Sequence, residues 1–330
     1  MSDRRNFIKA LTVGAFGSLA AACQKQSNAP NNQALPNKLE RVGLGLFTVP
    51  KLLDQDFEGT LKLIGDIGYK EVEFFGPYPF SVPAAHERWK AISATLGLKQ
   101  SGYFGLTPLK VKEILSRHGL SSPSMHTDLN TLRTRMNEAA DAAHTLGQQY
   151  VTLPSIPADE RKNLDAYKRI ADEFNVIGGS AEKAGVRFAY HNHGYGLTEM
   201  EGAIPFRVLL ERTDPKLVAL QMDIYWMTAG GADPIAYLKE YPGRFHSLHI
   251  KDMAKRVRFS GDGSDSKQWI ELFPFISDAG NGALDLPGIL SAAKRSGARH
   301  FLVERDLAPN ANETLRNSYQ YLAALQLKSA

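Results

Sequence analysis

From Arg41 onward the chain alternates, eight times over, between a short strand-like run and a longer segment with apolar residues at helical spacing. The runs are VGLGLFTV (42–49), KEVEFF (70–75), LSSPSMH (120–126), QYVTLP (149–154), VRFAYH (186–191), LVALQMD (217–223), FHSLHIK (245–251) and HFLVER (300–305). Between them, FEGTLKLIGDIG puts Phe57, Leu61 and Ile64 on one helical face. LKVKEILSRHG and NLDAYKRIADEFNVIGGSAEKAG each close on a glycine, Gly119 and Gly185, as helix C-termini often do. Eight strand–helix pairs over roughly 290 residues match a (β/α)8 TIM barrel in count and size. An open doubly wound sheet is the competing architecture. Its dinucleotide fingerprint is missing, because the first strand runs into VPKLLDQD without G-x-G-x-x-G. Two segments, 77–105 and 255–286, interrupt the alternation after strand ends. In a barrel they lie over the face where substrate pockets form.

The first forty residues stand apart from this pattern. DRRNFIK precedes the apolar stretch ALTVGAFGSLAAAC, which is too short to span a membrane and ends in small residues, as a signal peptide does. The paired Arg4 and Arg5 resemble a twin-arginine export signal. Cys23, the chain's single cysteine, can form no internal disulfide. LAAAC instead resembles a lipoprotein cleavage site with Cys23 as lipid anchor. The polar stretch that follows suits a tether over 24–39, before a single barrel domain at 40–330. The expected location is therefore periplasmic, free or membrane-anchored. The formal charge of +4 leaves the body nearly balanced, with no basic field for nucleic acid.

In a barrel the C-terminal ends of the strands converge on one bowl. Reading those ends gives Glu73, His126, His191 with His193, Asp223, His249 with Lys251, and Glu304. His191, Asp223, His249 and Glu304 come from four consecutive strands. A single histidine at a strand end is commonly a hydrogen-bonded structural residue, and buried acids are costly unless neutralised. Two imidazoles and two carboxylates together suit one divalent ion, Mn²⁺, Mg²⁺, Co²⁺ or Zn²⁺, which neutralises the acids and uses both rings.

YHNH at the fifth strand, MDIYW at the sixth, HSLHIKDM at the seventh and FLVERD at the eighth resemble the sugar phosphate isomerase/epimerase family. This is the xylose-isomerase-like TIM barrel superfamily, which also holds inosose dehydratases, ketose 3-epimerases and endonuclease IV type repair enzymes. The resemblance covers roughly residues 40–328 and takes in GYKEVEFFG. It implies a divalent metal at the strand ends acting on a sugar carbonyl, with Asp223, His249 and Glu304 as ligands. In many members the first ligand is a glutamate, where this chain has His191. The most similar subgroup carries YHNHDFEF, whereas here the tail reads GYGL and Gly196 replaces the glutamate. Only Glu304 is left of the carboxylate pair that two-glutamate epimerases use as acid and base, so an imidazole base fits better.

The residue types then suggest roles. His191 is expected as a metal ligand and His193 as base or substrate contact. Lys251 and His126 can bind sugar hydroxyls or stabilise negative charge, and Lys251 can alternatively pair with Asp252. Trp226 and Tyr225 offer a flat face to a sugar ring or pack in the core. Glu73 is a candidate hydroxyl ligand or second acid/base. The expected activity is proton abstraction next to a sugar carbonyl, ending in isomerisation, epimerisation or β-elimination from 3-keto-glycosides. Export argues against a phosphorylated substrate. A non-catalytic sugar-binding lipoprotein needs no metal, and an endonuclease IV type nuclease needs a larger metal cluster and a basic groove.

Overall fold

The protein is described from a computed structural model covering residues 37–328. The expected signal, with Arg4, Arg5 and Cys23, and most of the expected tether lie outside the described residues. Eight parallel strands form a closed barrel: β1 (Gly43–Gly45), β2 (Glu71–Phe75), β3 (Ser124–His126), β4 (Tyr150–Leu153), β5 (Arg187–His191), β6 (Val218–Asp223), β7 (Phe245–Ile250) and β8 (His300–Val303). Each strand pairs with its sequence neighbours, and β8 pairs back onto β1. All eight expected strands form, with shorter bounds. The largest trim is at β1, where Leu46–Thr48 coil into a 3-10 turn, followed by β3, where Pro123 has no N–H to give a ladder.

β2, β6 and β7 are buried along their whole length, because a parallel barrel strand is covered on both faces. The covering helices begin and end where local chemistry dictates. Asp56 accepts the Gly59 N–H and starts the helix Phe57–Ile67, which buries Leu61 and Ile64. Asn163 does the same through the Ala166 N–H for Leu164–Lys183, and Gly185 follows that helix at φ +77°. At the N-terminal end of the barrel, the His246 ring stacks on Tyr150 with centroids 3.9 Å apart. Burial holds His246 down at about 3, so it fills this end as a neutral ring donating to the Leu220 carbonyl.

The two interrupting segments sit at the opposite end. The first carries the helix Pro83–Leu96. The second opens with a two-stranded antiparallel ribbon, Asp252–Met253 against Ile276–Ser277, and contains the helix Ser266–Leu272. Asp252 pins the return of this segment. Its buried carboxylate accepts the N–H groups of Met253, Gly280, Gly282 and Leu284 at 2.8–3.2 Å.

Replacing Asp252 with alanine leaves four N–H groups short of an acceptor, those of Met253 and Leu284 in buried residues. At about 1 kcal/mol or more for each, the loss should reach about 3 kcal/mol, lowering the melting midpoint by roughly 6 °C or more. Calorimetry showing an unchanged midpoint for Asp252→Ala would contradict the anchoring role.

Candidate active site

Strand register decides which side chains meet. His191 lies directly opposite Gln221 across β5 and β6, and Asp223 directly opposite His249 across β6 and β7. Residues two apart on a strand share a face, so Gln221 and Asp223 both point into the barrel. Gly45 of β1 leaves room for the Glu304 carboxylate, since a Cβ there would come within 2.7 Å of Oε1. The result is a polar layer where a TIM barrel usually packs branched apolar residues.

The layer is one connected network. His249 Nδ1 is 2.8 Å from Glu304 Oε2 and its Nε2 is 2.6 Å from Glu73 Oε2. Glu73 also accepts from the Ser124 hydroxyl and from Gln221 Nε2, the latter at 2.8 Å, and lies 3.0 Å from His126 Nε2. The Lys251 ammonium is buried and touches three carboxylates: Asp223 Oδ2 at 2.9 Å, Glu304 Oε2 at 2.7 Å and Asp306 Oδ2 at 2.8 Å. Asp223 Oδ1 caps the helix Ile224–Ala229 through the Trp226 N–H. Asp223 Oδ2 receives no well-directed hydrogen bond despite its closeness to the ammonium.

Titration follows from this packing. Burial would drive Lys251 to lose its proton, but the charges of Asp223, Asp306 and Glu304 hold it well above the ordinary lysine range. Burial likewise works against a charged His249, yet Glu304 and Glu73 raise it to about 10. Burial would raise Glu73, but His126 and His249 hold it well below the carboxylate range. Burial raises Asp223 and pushes Asp306 up to about 6, against the pull of Lys251 on each. His191 is held well below the imidazole range by burial and by the positive charge of its neighbours, so its ring is neutral.

Which of these groups suit a cation follows from donor chemistry. Asp223, His249 and Glu304 bring ligand atoms within 4.8 Å of one another. With Asp223 Oδ2 among them, paired with the Lys251 ammonium but without a well-directed hydrogen bond, they form a donor set that fits a divalent ion. His191 Nε2 lies 3.8 Å from that same oxygen. His126, His191 and His249 also converge within 4.8 Å. However, His126 Nε2 and His191 Nδ1 both face Gln221 Oε1, at 2.7 and 2.9 Å. We therefore read the imidazole trio as a hydrogen-bonded array and not as a second ligand set. Glu73 supplies the outer carboxylate that orients a ligating histidine.

Beside the network opens a cavity of about 440 Å³, bordered by His126, His191, His193, Glu304 and Asp306 and, further out, by Phe75 and Trp89. β5 ends at His191, but the loop keeps His193 on the same side, its ring 4.6 Å from that of His191. His193 Nδ1 faces the Pro154 carbonyl, which can only accept, so the proton sits on Nδ1 and Nε2 carries the lone pair. Burial and the Lys251 charge lower His193 to about 3, leaving it neutral at pH 7. Trp269, from the second interrupting segment, stacks on its ring at 5.1 Å.

Several expectations are corrected by this geometry. Trp226 does not border the cavity. It is buried, stacked on Phe259 at 5.7 Å, with the Lys251 ammonium 5.6 Å from its ring centre. Tyr225 is buried too, donating to the Leu272 carbonyl. Glu73 is buried beneath His126 and His249 and anchors them, rather than facing a substrate. Lys251 pairs with Asp306 and not with Asp252. Gln221, Ser124, Asp306 and Trp269 were not anticipated. Gln221 had a signal, lying two residues before Asp223 on one strand face, and Asp306 directly follows FLVER; Ser124 and Trp269 had none. Gly196 sits at φ +74°, where a Cβ would meet the Tyr167 hydroxyl at 2.8 Å, so no side chain replaces the missing glutamate there.

Residues 61–325 match the sequence model of the xylose isomerase-like TIM barrel. An inosose dehydratase of Clostridium beijerinckii is 30% identical over 238 residues, covering 71% of this chain and 74% of that protein. Inosose dehydratase 2 of Bacillus cereus is 29% identical over 146 residues, 43% of this chain and 46% of that protein. The chain thus spans about half the length of the first relatives it matches. Among solved structures, a sugar phosphate isomerase/epimerase from Parabacteroides distasonis superposes with a TM-score of 0.65 at 23% identity, over 92% of this chain and 99% of that one. The IolI protein with a bound zinc atom superposes with a TM-score of 0.61 at 16% identity, over 85% and 95%.

In the metal-free protein, His249 is raised from 6.5 to about 10. Its bonds to Glu73 and Glu304 therefore stabilise the fold fully below pH 6.5, and that contribution is lost as pH rises through 10. The melting temperature of metal-free protein should fall across this interval, with a shallower fall in His249→Gln. Equal slopes for the two proteins would contradict the assignment.

Proposed function

The chain belongs to the xylose isomerase-like TIM barrel family, and from that premise we propose that it is a divalent-metal-dependent carbohydrate enzyme that removes a proton next to a sugar carbonyl. The observation that carries this reading is the pairing of His193, neutral with its lone pair on Nε2, with a donor set suited to a cation, whose Glu304 borders the same cavity. His191, Asp223, His249 and Glu304 would hold the metal, whose positive charge polarises a carbonyl oxygen and makes the neighbouring C–H more acidic.

The chain's own residues do the rest. His193 Nε2 accepts the proton from carbon, and Nδ1–H bonded to Pro154 fixes the ring while the charge develops. Trp269 covers one ring face and limits water. Lys251 holds the carboxylates of Asp223, Glu304 and Asp306 together. From the imidazolium the proton returns to carbon, giving an isomer or epimer, or moves to a leaving oxygen on the next carbon, giving an alkene product. A single imidazole base, with Gly196 where a carboxylate is found in similar sequences, favours elimination from a keto-sugar over symmetrical epimerisation. Relatives named as dehydratases support that direction. A sugar-binding lipoprotein would have no use for buried carboxylates and an imidazole whose ligand atoms converge within 4.8 Å.

We also propose export, on DRRNFIK and the apolar stretch ending in Cys23. Fractionation tests the anchor: Cys23→Ser should leave the membrane fraction, and unchanged partition would exclude lipidation.

Incubation of keto-sugars and 3-keto-glycosides with metal-loaded protein in D₂O should place deuterium beside the carbonyl or release an elimination product. His193→Ala should retain its metal and lose this exchange by about 10²-fold or more. No exchange and no elimination across a broad panel would favour the sugar-binding alternative.

A further inference from the structure

Gln221 is fully buried in the middle of an ionised network, yet the chemistry proposed above does not use it. A buried amide is tolerated only when its donors and acceptor are satisfied, and here nearly all are. Nε2 donates to Glu73 Oε1 at 2.8 Å. Oε1 lies 2.7 Å from His126 Nε2 and 2.9 Å from His191 Nδ1.

The neighbours leave one orientation for the amide. Turned over, it would set its oxygen against the ionised Glu73 carboxylate, two acceptors facing each other. It would also point N–H groups at His126 Nε2, which already faces Glu73 Oε2. With the oxygen toward the rings, His191 Nδ1 must carry the proton. His191 Nε2 then holds the lone pair, and this is the atom 3.8 Å from Asp223 Oδ2.

We infer that Gln221 is a positioning residue that fixes His191 in the Nδ1–H tautomer and so presents Nε2, beside Asp223, to a divalent cation. The inference rests on the metal-dependent reading above. Strand register builds the device: Gln221 faces His191 across β5 and β6 and stands two residues before Asp223 on the same face. One side chain thereby ties the orientation of a candidate ligand to Glu73, which in turn holds His249. Outer partners of ligating histidines typically change metal affinity by about 10–100-fold.

The test compares Gln221→Met, which keeps length and removes both hydrogen-bonding functions, with Gln221→Glu, whose carboxyl keeps an acceptor for His191 Nδ1–H and, by sharing a proton with Glu73, keeps the bond that Nε2 makes there. Zn²⁺ affinity is measured by chelator competition, the His191 tautomer by ¹⁵N correlation spectroscopy, and the fold by the melting of metal-free protein. In wild type the spectrum should show protonated Nδ1 and bare Nε2 before any metal is added. Gln221→Met should bind Zn²⁺ about 10–100-fold more weakly with the His191 tautomers mixed, and Gln221→Glu should bind within a few-fold of wild type. Wild-type affinity in Gln221→Met overturns the inference, as does Gln221→Glu binding as weakly as Gln221→Met, or a wild-type His191 protonated on Nε2. If Gln221→Met does not fold, the wild-type tautomer and the Gln221→Glu affinity decide. A wild-type protein that takes up no Zn²⁺ overturns the metal-dependent reading itself, an outcome distinct from the others.

Discussion

Four carboxylates, Glu73, Asp223, Glu304 and Asp306, are gathered at the C-terminal end of one barrel with Lys251 among them. An uncompensated buried charge costs several kcal/mol even after relaxation, so a single ammonium does not balance this group. The metal-free protein answers by keeping His249 protonated between Glu73 and Glu304 and by raising Asp306. A divalent cation would supply the remaining charge and release the His249 proton. The barrel's closure thus forces the electrostatic problem, and the electrostatic problem selects the ligand.

Hydrogen bonding then divides the imidazoles by role. His249 takes a carboxylate at each nitrogen, His191 and His126 share the Gln221 oxygen, and His193 alone turns to a backbone carbonyl. His193 is therefore neutral, oriented by a backbone carbonyl and bordering the cavity, without an ion-pair distance to any carboxylate of the network. Four clustered rings, three of them bordering the cavity, end up as candidate ligands, anchor and base because their partners differ, not because their intrinsic chemistry does. The segment after β7 completes the arrangement by stacking Trp269 on His193 and Phe259 on Trp226.

The barrel was legible because its strands are near-continuous apolar runs separated by helices with clear caps such as Asp56 and Asn163. The ends of those runs were legible as a set, since one histidine closing a strand is commonly structural but two imidazoles and two carboxylates on four consecutive strands have few bland explanations. Facing was harder to read. Trp226 follows Asp223 in sequence, but the helix that Asp223 caps turns it into the wall beside Lys251. Glu73 reads like the other strand-end acids, yet the register sinks it below His249. Gln221 is uncharged and so escaped notice, and Trp269 comes from a segment without periodicity, placed by tertiary packing alone.

The central claim is that the charge deficit beside His193 is a cation site. The most direct test is anomalous diffraction from crystals soaked in Zn²⁺ or Mn²⁺. The account predicts one buried peak shared by His191, Asp223, His249 and Glu304, with Gln221 still bonded to His191 and no peak held by the trio His126, His191 and His249. A peak confined to that second group, or no buried peak at saturating metal, would contradict it.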